Sequence, residues 1–89
     1  MLSVGTKVRF CHPDFPEDKS VGVVVSLEEA ALDWKHRGIS EEDTPKFILE
    51  KYNEVRPIFV RWIDSIGTST VYWSECRHIK PIRRLPEWL

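Results

Sequence analysis

The chain has few of the residues that build phosphate-binding loops and disulfide frameworks. Its four glycines are scattered along 89 residues, which excludes the glycine-rich loops that hold nucleotide phosphates. Two cysteines are too few for the framework of a small secreted domain, so reduced thiols are expected. No apolar run approaches the roughly 18 residues of a membrane-spanning helix. We therefore expect a cytoplasmic protein with no membrane partner.

A strong charge of either sign is also missing. The formal net charge is −1, so the molecule as a whole lacks the long-range attraction to nucleic acid of a strongly basic domain. The charges are nevertheless unevenly distributed, because residues 14–54 hold eleven acids and five bases, whereas residues 55–84 hold six bases and two acids. An acidic flank and a basic flank are expected, either as ordinary surface polarity or as a means of orienting a partner.

Neither catalysis nor metal binding is indicated by the histidines and cysteines. No serine or cysteine nucleophile accompanies the three histidines in a recognisable motif. Cys11 and His12 are adjacent, and Cys76 and His78 are two apart, which is not the spacing of zinc ligands. We expect a protein that is not an enzyme, with no cofactor and no metal, and a Cys76 that packs as a small apolar side chain.

Hydrophobic alternation predicts a mainly β protein. Apolar and polar residues alternate before and after the middle of the chain, and a nearly continuous β-branched run contains Gly22, which is typical of a central, sharply bent strand. Between the first two strands, Pro13 and Pro16 mark a surface loop. The predicted strands span residues 4–10, 21–26, 58–63, 70–73 and 79–82.

Two helices are predicted in the middle of the chain. Ser26 and Glu29 form a capping box, followed by apolar residues at helical spacing, which predicts a helix over about 27–37. Thr44 followed by a proline predicts the start of a second helix over about 45–53. Together these helices form an insertion at about 27–53.

The strand segments resemble a known class of small barrels. Gly5–Phe10, Gly22–Val25, Phe59–Asp64 and Tyr72–Cys76 resemble successive strands of SH3-like barrels of the KOW and Tudor type. In layout the chain is also similar to the hemimethylated-DNA-binding, YccV-like family, which implies DNA binding or a role as an adaptor in protein turnover. The fold class is therefore predicted as mainly β with an α insertion (α+β). It is a five-stranded SH3-like barrel over 1–82, with the helices between strands 2 and 3 and a C-terminal tail at 83–89.

The candidate binding residues are aromatic and basic side chains of the loops, the hairpin and the tail. We expect a non-catalytic binding or adaptor module that contacts a protein partner. A nucleic-acid-associated barrel with a basic rim and a structural component of a larger assembly, such as a phage particle, are the alternatives. A structural interpretation also exists, in which the rings form the core and the arginines pair with acids of the helices. The candidate residues are Phe15, Phe59, Arg61, Tyr72, Arg77, Lys80, Arg83, Arg84 and Trp88.

Overall fold

The computed structural model describes residues 2–39, 44–63 and 69–82. A 3-10 turn at Asn53–Val55 precedes the third strand, and a second one at Cys76–His78, here called the closing turn, joins the last two strands. The strands and helices of these ranges, in chain order, are β1 (Lys7–Phe10), β2 (Val21–Val24), α1 (Leu27–His36), α2 (Pro45–Lys51), β3 (Pro57–Ile63), β4 (Ser69–Glu75) and β5 (Ile79–Pro81).

The strands form one antiparallel sheet in the order β4-β3-β2-β1-β5. The predicted mixture of a five-stranded sheet with two helices is confirmed. The predicted closed barrel is wrong for the described residues, because β4 and β5 are the two edges of the sheet and do not pair with each other. The three-residue closing turn joins β4 to β5, which pairs with β1, so the sheet curls until the ends of its two edge strands approach each other without pairing.

Both helices begin at the caps that the sequence predicts. The Ser26 hydroxyl accepts a hydrogen bond from the backbone N–H of Glu29 (3.1 Å) at the start of α1. The Thr44 hydroxyl accepts one from the N–H of Phe47 (3.3 Å) at the start of α2. Each cap satisfies a backbone donor that has no partner within its helix. Helix α1 ends just before Gly38, which adopts a left-handed conformation (φ 71°).

The first of two apolar cores lies between the helices and one face of the sheet. Trp34 anchors α1 there, with its ring 5.7 Å from that of Phe59. Its indole Nε1 donates a hydrogen bond to the carbonyl oxygen of Val71 (2.8 Å), and the Arg37 guanidinium donates a second one to the same oxygen (2.7 Å). Helix α1 thereby covers part of the β4 edge, which would otherwise present free backbone groups. The helix-side core consists of Val25, Ala30, Trp34, Ile48, Phe59 and Val71.

The second core lies on the other face of the sheet and draws its residues from four strands. Its members are at most 6% exposed, which requires the sheet to curve around them because neither helix contributes to this cluster. Gly22 permits the curvature: a Cβ atom there would lie 2.6 Å from both the Arg61 carbonyl oxygen and a methyl group of Val60. The sheet-interior core consists of Val8, Val24, Val60 and Ile79.

Candidate functional site

The candidate binding residues do not share one surface. Phe59 lies in the helix-side core at 5% exposure and offers no surface to a partner. Phe59 pairs with Trp73, whereas Tyr72 pairs with Val60. Because directly opposed residues share a face, Phe59 and Tyr72 lie on opposite faces of the hairpin. The remaining candidates, Arg83, Arg84 and Trp88, lie outside the described residues.

Arg61 is engaged by helix α1. Its guanidinium lies 3.3 Å from a carboxylate oxygen of Glu29 and 3.7 Å from one of Asp33, and it donates a hydrogen bond to the Ser69 hydroxyl (3.3 Å). Asp33 in turn accepts from Arg37 at 2.8 Å. The cationic charge of Arg61 is therefore balanced within the chain, in the arrangement that the structural interpretation of the sequence describes.

Tyr72 remains on the surface, 55% exposed, beside the outer edge of β4. Its ring lies 6.4 Å from that of Trp34, and the two rings contribute to a shallow depression of about 190 Å³. No cation lines this depression among the described residues. Tyr72 and Arg61 are thus separate features, and the hairpin does not combine them into one site.

Three candidates do meet, in a cleft between the β1–β2 loop and the segment formed by the closing turn and β5. This loop cleft has a volume of about 760 Å³ and is lined by Phe15, Arg77 and Lys80 together with Arg9, His12 and His78. None of the lining residues belongs to α1 or α2. The loop cleft brings the predicted loop together with Arg77 and Lys80 of the predicted basic rim.

Four rings form a contiguous cluster along one wall of the loop cleft. His12 lies at its centre, with ring centroids 4.0 Å from His78, 5.1 Å from Phe15 and 5.9 Å from Phe10. Phe10 also meets His78 edge-on at 6.3 Å. Phe15 is the outermost ring and is 59% exposed. It therefore presents an exposed apolar surface whose ring packs on His12, and His12 in turn contacts the other two rings.

Hydrogen bonds within the loop fix its shape. The N–H of Asp14 donates to Nδ1 of His12 (3.0 Å), and the N–H of Phe15 donates to the His12 carbonyl oxygen (3.1 Å). The next turn is closed by the N–H of Asp18, which donates to the Phe15 carbonyl oxygen (3.0 Å). Ser20 donates to the Asp18 carboxylate from its N–H (3.0 Å) and its hydroxyl (2.6 Å), and these two bonds lower the pKa of Asp18. Phe15 is therefore held on two consecutive hydrogen-bonded turns.

His78 is placed where positive charge is disfavoured. Burial lowers the pKa of His78, and the neighbouring His12 and Arg77 add to that effect. Glu75 opposes it, with a carboxylate oxygen 3.4 Å from Nδ1 of His78. The same carboxylate accepts a hydrogen bond from Nε of Arg77 (2.7 Å). Nδ1 of His12 is an acceptor in the fold, so that nitrogen carries no proton.

Two cations that line the loop cleft have no ion-pair partner in the part of the chain that the structure describes. Arg9 and Lys80 are directly opposite each other in the β1–β5 ladder, both are exposed, and no carboxylate of the described residues lies within 4.0 Å of either one. Side chains paired in this way are about 4.5–5.5 Å apart at Cβ, and like charges at this spacing are destabilising. Arg9 was not among the predicted binding residues, because the sequence alone shows only a polar residue on one face of a strand. It lies opposite Lys80 because β1 pairs with β5, and that pairing is not evident from the sequence.

The loop cleft offers an exposed aromatic ring and cationic side chains to a ligand. Both cysteines are free thiols, and no group of three or more His, Cys, Asp or Glu side chains in the described ranges is arranged to hold a metal ion. His12 and His78 were considered from the sequence only as metal ligands. The structure places His12 against Phe15 and His78 against His12, with tilted rings. An exposed ring beside unpaired cations suits a ligand with an apolar group and an anionic group.

Comparisons of the chain with protein-family models, curated proteins and solved structures found no match. No helix in the described parts of the chain has the length and apolar character needed to cross a membrane. Function is therefore inferred from the geometry of the loop cleft.

Proposed function

We propose that this chain is a non-catalytic binding module that docks an extended segment of a partner protein in the loop cleft. The observation that carries the proposal is Phe15, an exposed ring that packs on His12 and lies on a loop held by its own hydrogen bonds. A large apolar side chain that is already ordered loses little conformational entropy on binding. It is the kind of residue that dominates the affinity of protein interfaces.

We also propose that the fold is an open relative of the SH3-like small barrels, with α1 and α2 as an insertion between the second and third strands. The strand order and the 3-10 closing turn between the last two strands support this relationship. The sheet-interior core supports it too, since the sheet curves around that core as the wall of a small barrel does. The resemblance to the YccV-like family stays a resemblance of layout, and a cytoplasmic location is proposed on the basis of the two free thiols.

The geometry favours an extended segment over a folded partner surface. The loop cleft is a trough whose opposite walls come from a loop and from β5, an edge strand of only three residues. Extended peptides place alternate side chains on the two sides of such troughs and combine one anchoring pocket with polar contacts along the backbone. The helices do not line the loop cleft, so they restrict neither end of it.

Selection from a random peptide library on the immobilised protein tests the proposal. Enriched peptides are expected to shift the backbone amide signals of the β1–β2 loop and the closing turn in NMR titrations. Binding is expected to weaken by about tenfold or more in Phe15→Ala, the range found when an interface anchor is truncated. Phe47→Ala is the matched control, because Phe47 is also exposed but lies on α2, away from the loop cleft.

Three outcomes would overturn the proposal. The first is that no peptide is enriched over a resin control. The second is that the shifted amides map to the β3–β4 hairpin. The third is that single-stranded DNA or RNA binds at low salt more tightly than every selected peptide and loses affinity steeply as salt rises, which would identify a nucleic-acid-binding module.

A further inference from the structure

We infer that the segment bound in the loop cleft is acidic, with carboxylates held between Arg9 and Lys80 and an apolar side chain resting on Phe15. This inference names the class of partner for the proposed function and rests on it. It starts from Arg9 and Lys80, two cations that face each other in the β1–β5 ladder with no carboxylate partner among the described residues.

Three other cations near the sheet have carboxylate partners within the chain. Arg37 lies 2.8 Å from Asp33, Arg61 lies 3.3 Å from Glu29, and Arg77 lies 2.7 Å from Glu75. Arg9 and Lys80 have no such carboxylate among the described residues, although they face each other directly. A bound anion would remove their mutual repulsion and satisfy their donors, so the fold itself favours an anionic ligand at this point.

The dimensions suit the carboxylates of an extended chain. Residues two apart on an extended segment lie about 7 Å apart on the same side of the backbone. Two acidic side chains at that spacing can reach the Arg9 guanidinium, which binds a carboxylate through two parallel N–H groups, and the ammonium of Lys80, which acts as a point charge. The exposed ring of Phe15 across the loop cleft then receives an apolar side chain of the same segment.

The negative charge of the β1–β2 loop favours a peptide over a polynucleotide as the ligand of the loop cleft. Asp14 and Asp18 line the loop side of the cleft, and the Asp14 side chain is 81% exposed. A polynucleotide carries a phosphate at every step and would bring several of them against these carboxylates. A peptide can place its acidic residues over Arg9 and Lys80 alone and leave neutral residues beside the loop.

NMR titration with a capped Glu-Gly-Glu-Gly-Phe peptide tests the inference on the full chain, because this peptide has two carboxylates two residues apart, neutral residues between them and one apolar ring. The amide signals of Arg9 and Lys80 are expected to shift, whereas the capped Gln-Gly-Gln-Gly-Phe peptide, which has the same length and no charge, is expected to leave them unchanged. The affinity is expected to fall as salt rises, because the site is exposed to solvent.

Charge reversal supplies the decisive variant. Lys80→Glu replaces an attraction with a repulsion, and the Glu-Gly-Glu-Gly-Phe peptide is expected to bind about tenfold more weakly or not at all. Lys46→Gln is the matched control, since Lys46 is an exposed cation on α2, and it is expected to bind as the unaltered protein does. Circular dichroism verifies that both variants are folded.

The inference is overturned if the Glu-Gly-Glu-Gly-Phe peptide shifts no signal at the loop cleft, if Lys80→Glu binds it unchanged, or if a pentathymidylate binds more tightly than that peptide. Library peptides that bind the loop cleft but do not respond to Lys80→Glu would refute the acidic specificity and leave the proposed function standing. Failure of every library peptide would refute both.

Discussion

The carbonyl oxygen of Val71 offers a sharp test of how α1 is attached to the sheet. Val71 is fully buried, and its carbonyl oxygen accepts hydrogen bonds from Nε1 of Trp34 (2.8 Å) and from the guanidinium of Arg37 (2.7 Å). Either donor alone keeps the oxygen satisfied. Removal of both leaves a buried acceptor without a partner, which is the costly case for a hydrogen bond. We therefore predict that the two losses are strongly non-additive.

The expected loss of stability for each substitution follows from the burial and the contacts of the side chain that is changed. Trp34→Phe keeps an aromatic ring against Phe59 but removes the indole N–H and part of the ring volume, at a cost of about 2 kcal/mol. Arg37→Met removes a hydrogen bond and a partly exposed ion pair with Asp33, at a cost of about 1 kcal/mol once solvent screening is considered. In the double variant the orphaned oxygen adds about 1–3 kcal/mol beyond the sum of the two.

Equilibrium unfolding in urea, followed by circular dichroism, measures the four corners of this double-mutant cycle. The control cycle pairs Trp34→Phe with Lys35→Met, which alters an exposed neighbour in α1 and should be additive within about 0.5 kcal/mol. If the Trp34–Arg37 cycle is equally additive, the shared carbonyl does not hold the helix on β4, and the reasoning is refuted. A chain of this size has about 5–13 kcal/mol of stability to lose, so the double variant should still fold.

Four further predictions follow from particular contacts. Gly22→Ala places a methyl group 2.6 Å from the Arg61 carbonyl oxygen and should destabilise the fold by about 1–3 kcal/mol, and an unchanged urea midpoint would argue against the close approach. Because the fold lowers the pKa of His78 below its ordinary value of 6.5, the unfolded chain takes up that proton first as the pH falls. The stability that the fold gains from neutral His78 is complete above pH 6.5 and is lost as the pH falls below it. The thermal midpoint should therefore decrease from pH 7.5 to pH 5, and the decrease should be smaller in His78→Gln. Arg61→Gln should cost about 0.5 kcal/mol, given its exposed ion pairs, and leave peptide affinity unchanged, whereas weaker peptide binding would place the site on the hairpin. Lys80→Glu should raise the free energy of unfolding by about 0.5 kcal/mol, since it pairs opposite charges across β1 and β5, and a loss of stability in urea would contradict the unpartnered state of Lys80.

The helices were the most predictable part of the fold because their signals are local. Ser26 lies three residues before Glu29, and Thr44 precedes a proline. Each of these caps works through atoms within one turn of the chain. Gly22 was predictable for a related reason, since a lone glycine in a β-branched run indicates a bend or a close approach. The sequence indicated that another part of the chain approaches Gly22 closely, but it did not indicate that this part is β3.

The candidate site was only partly predictable, because it depends on which strands become neighbours. Phe15 was identified from its proline-bounded loop, and Arg77 and Lys80 from their place in the basic segment. Nothing local indicated that Phe59 would face the helices while Tyr72 stayed on the surface, since the hairpin register decides that distribution. A shift of one residue would exchange the two faces.

The amino-acid sequence by itself determined the local structure: where strands and helices occur, where α1 and α2 begin, and which surface loop carries an aromatic residue. These depend on hydrogen bonds and side-chain periodicity within a few residues. Tertiary structure alone decided that β4 and β5 do not pair, that Arg9 stands opposite Lys80, and that His12 packs against His78. The residues concerned are about 66–71 positions apart, and such pairings are set by strand order and by the burial of two separate cores.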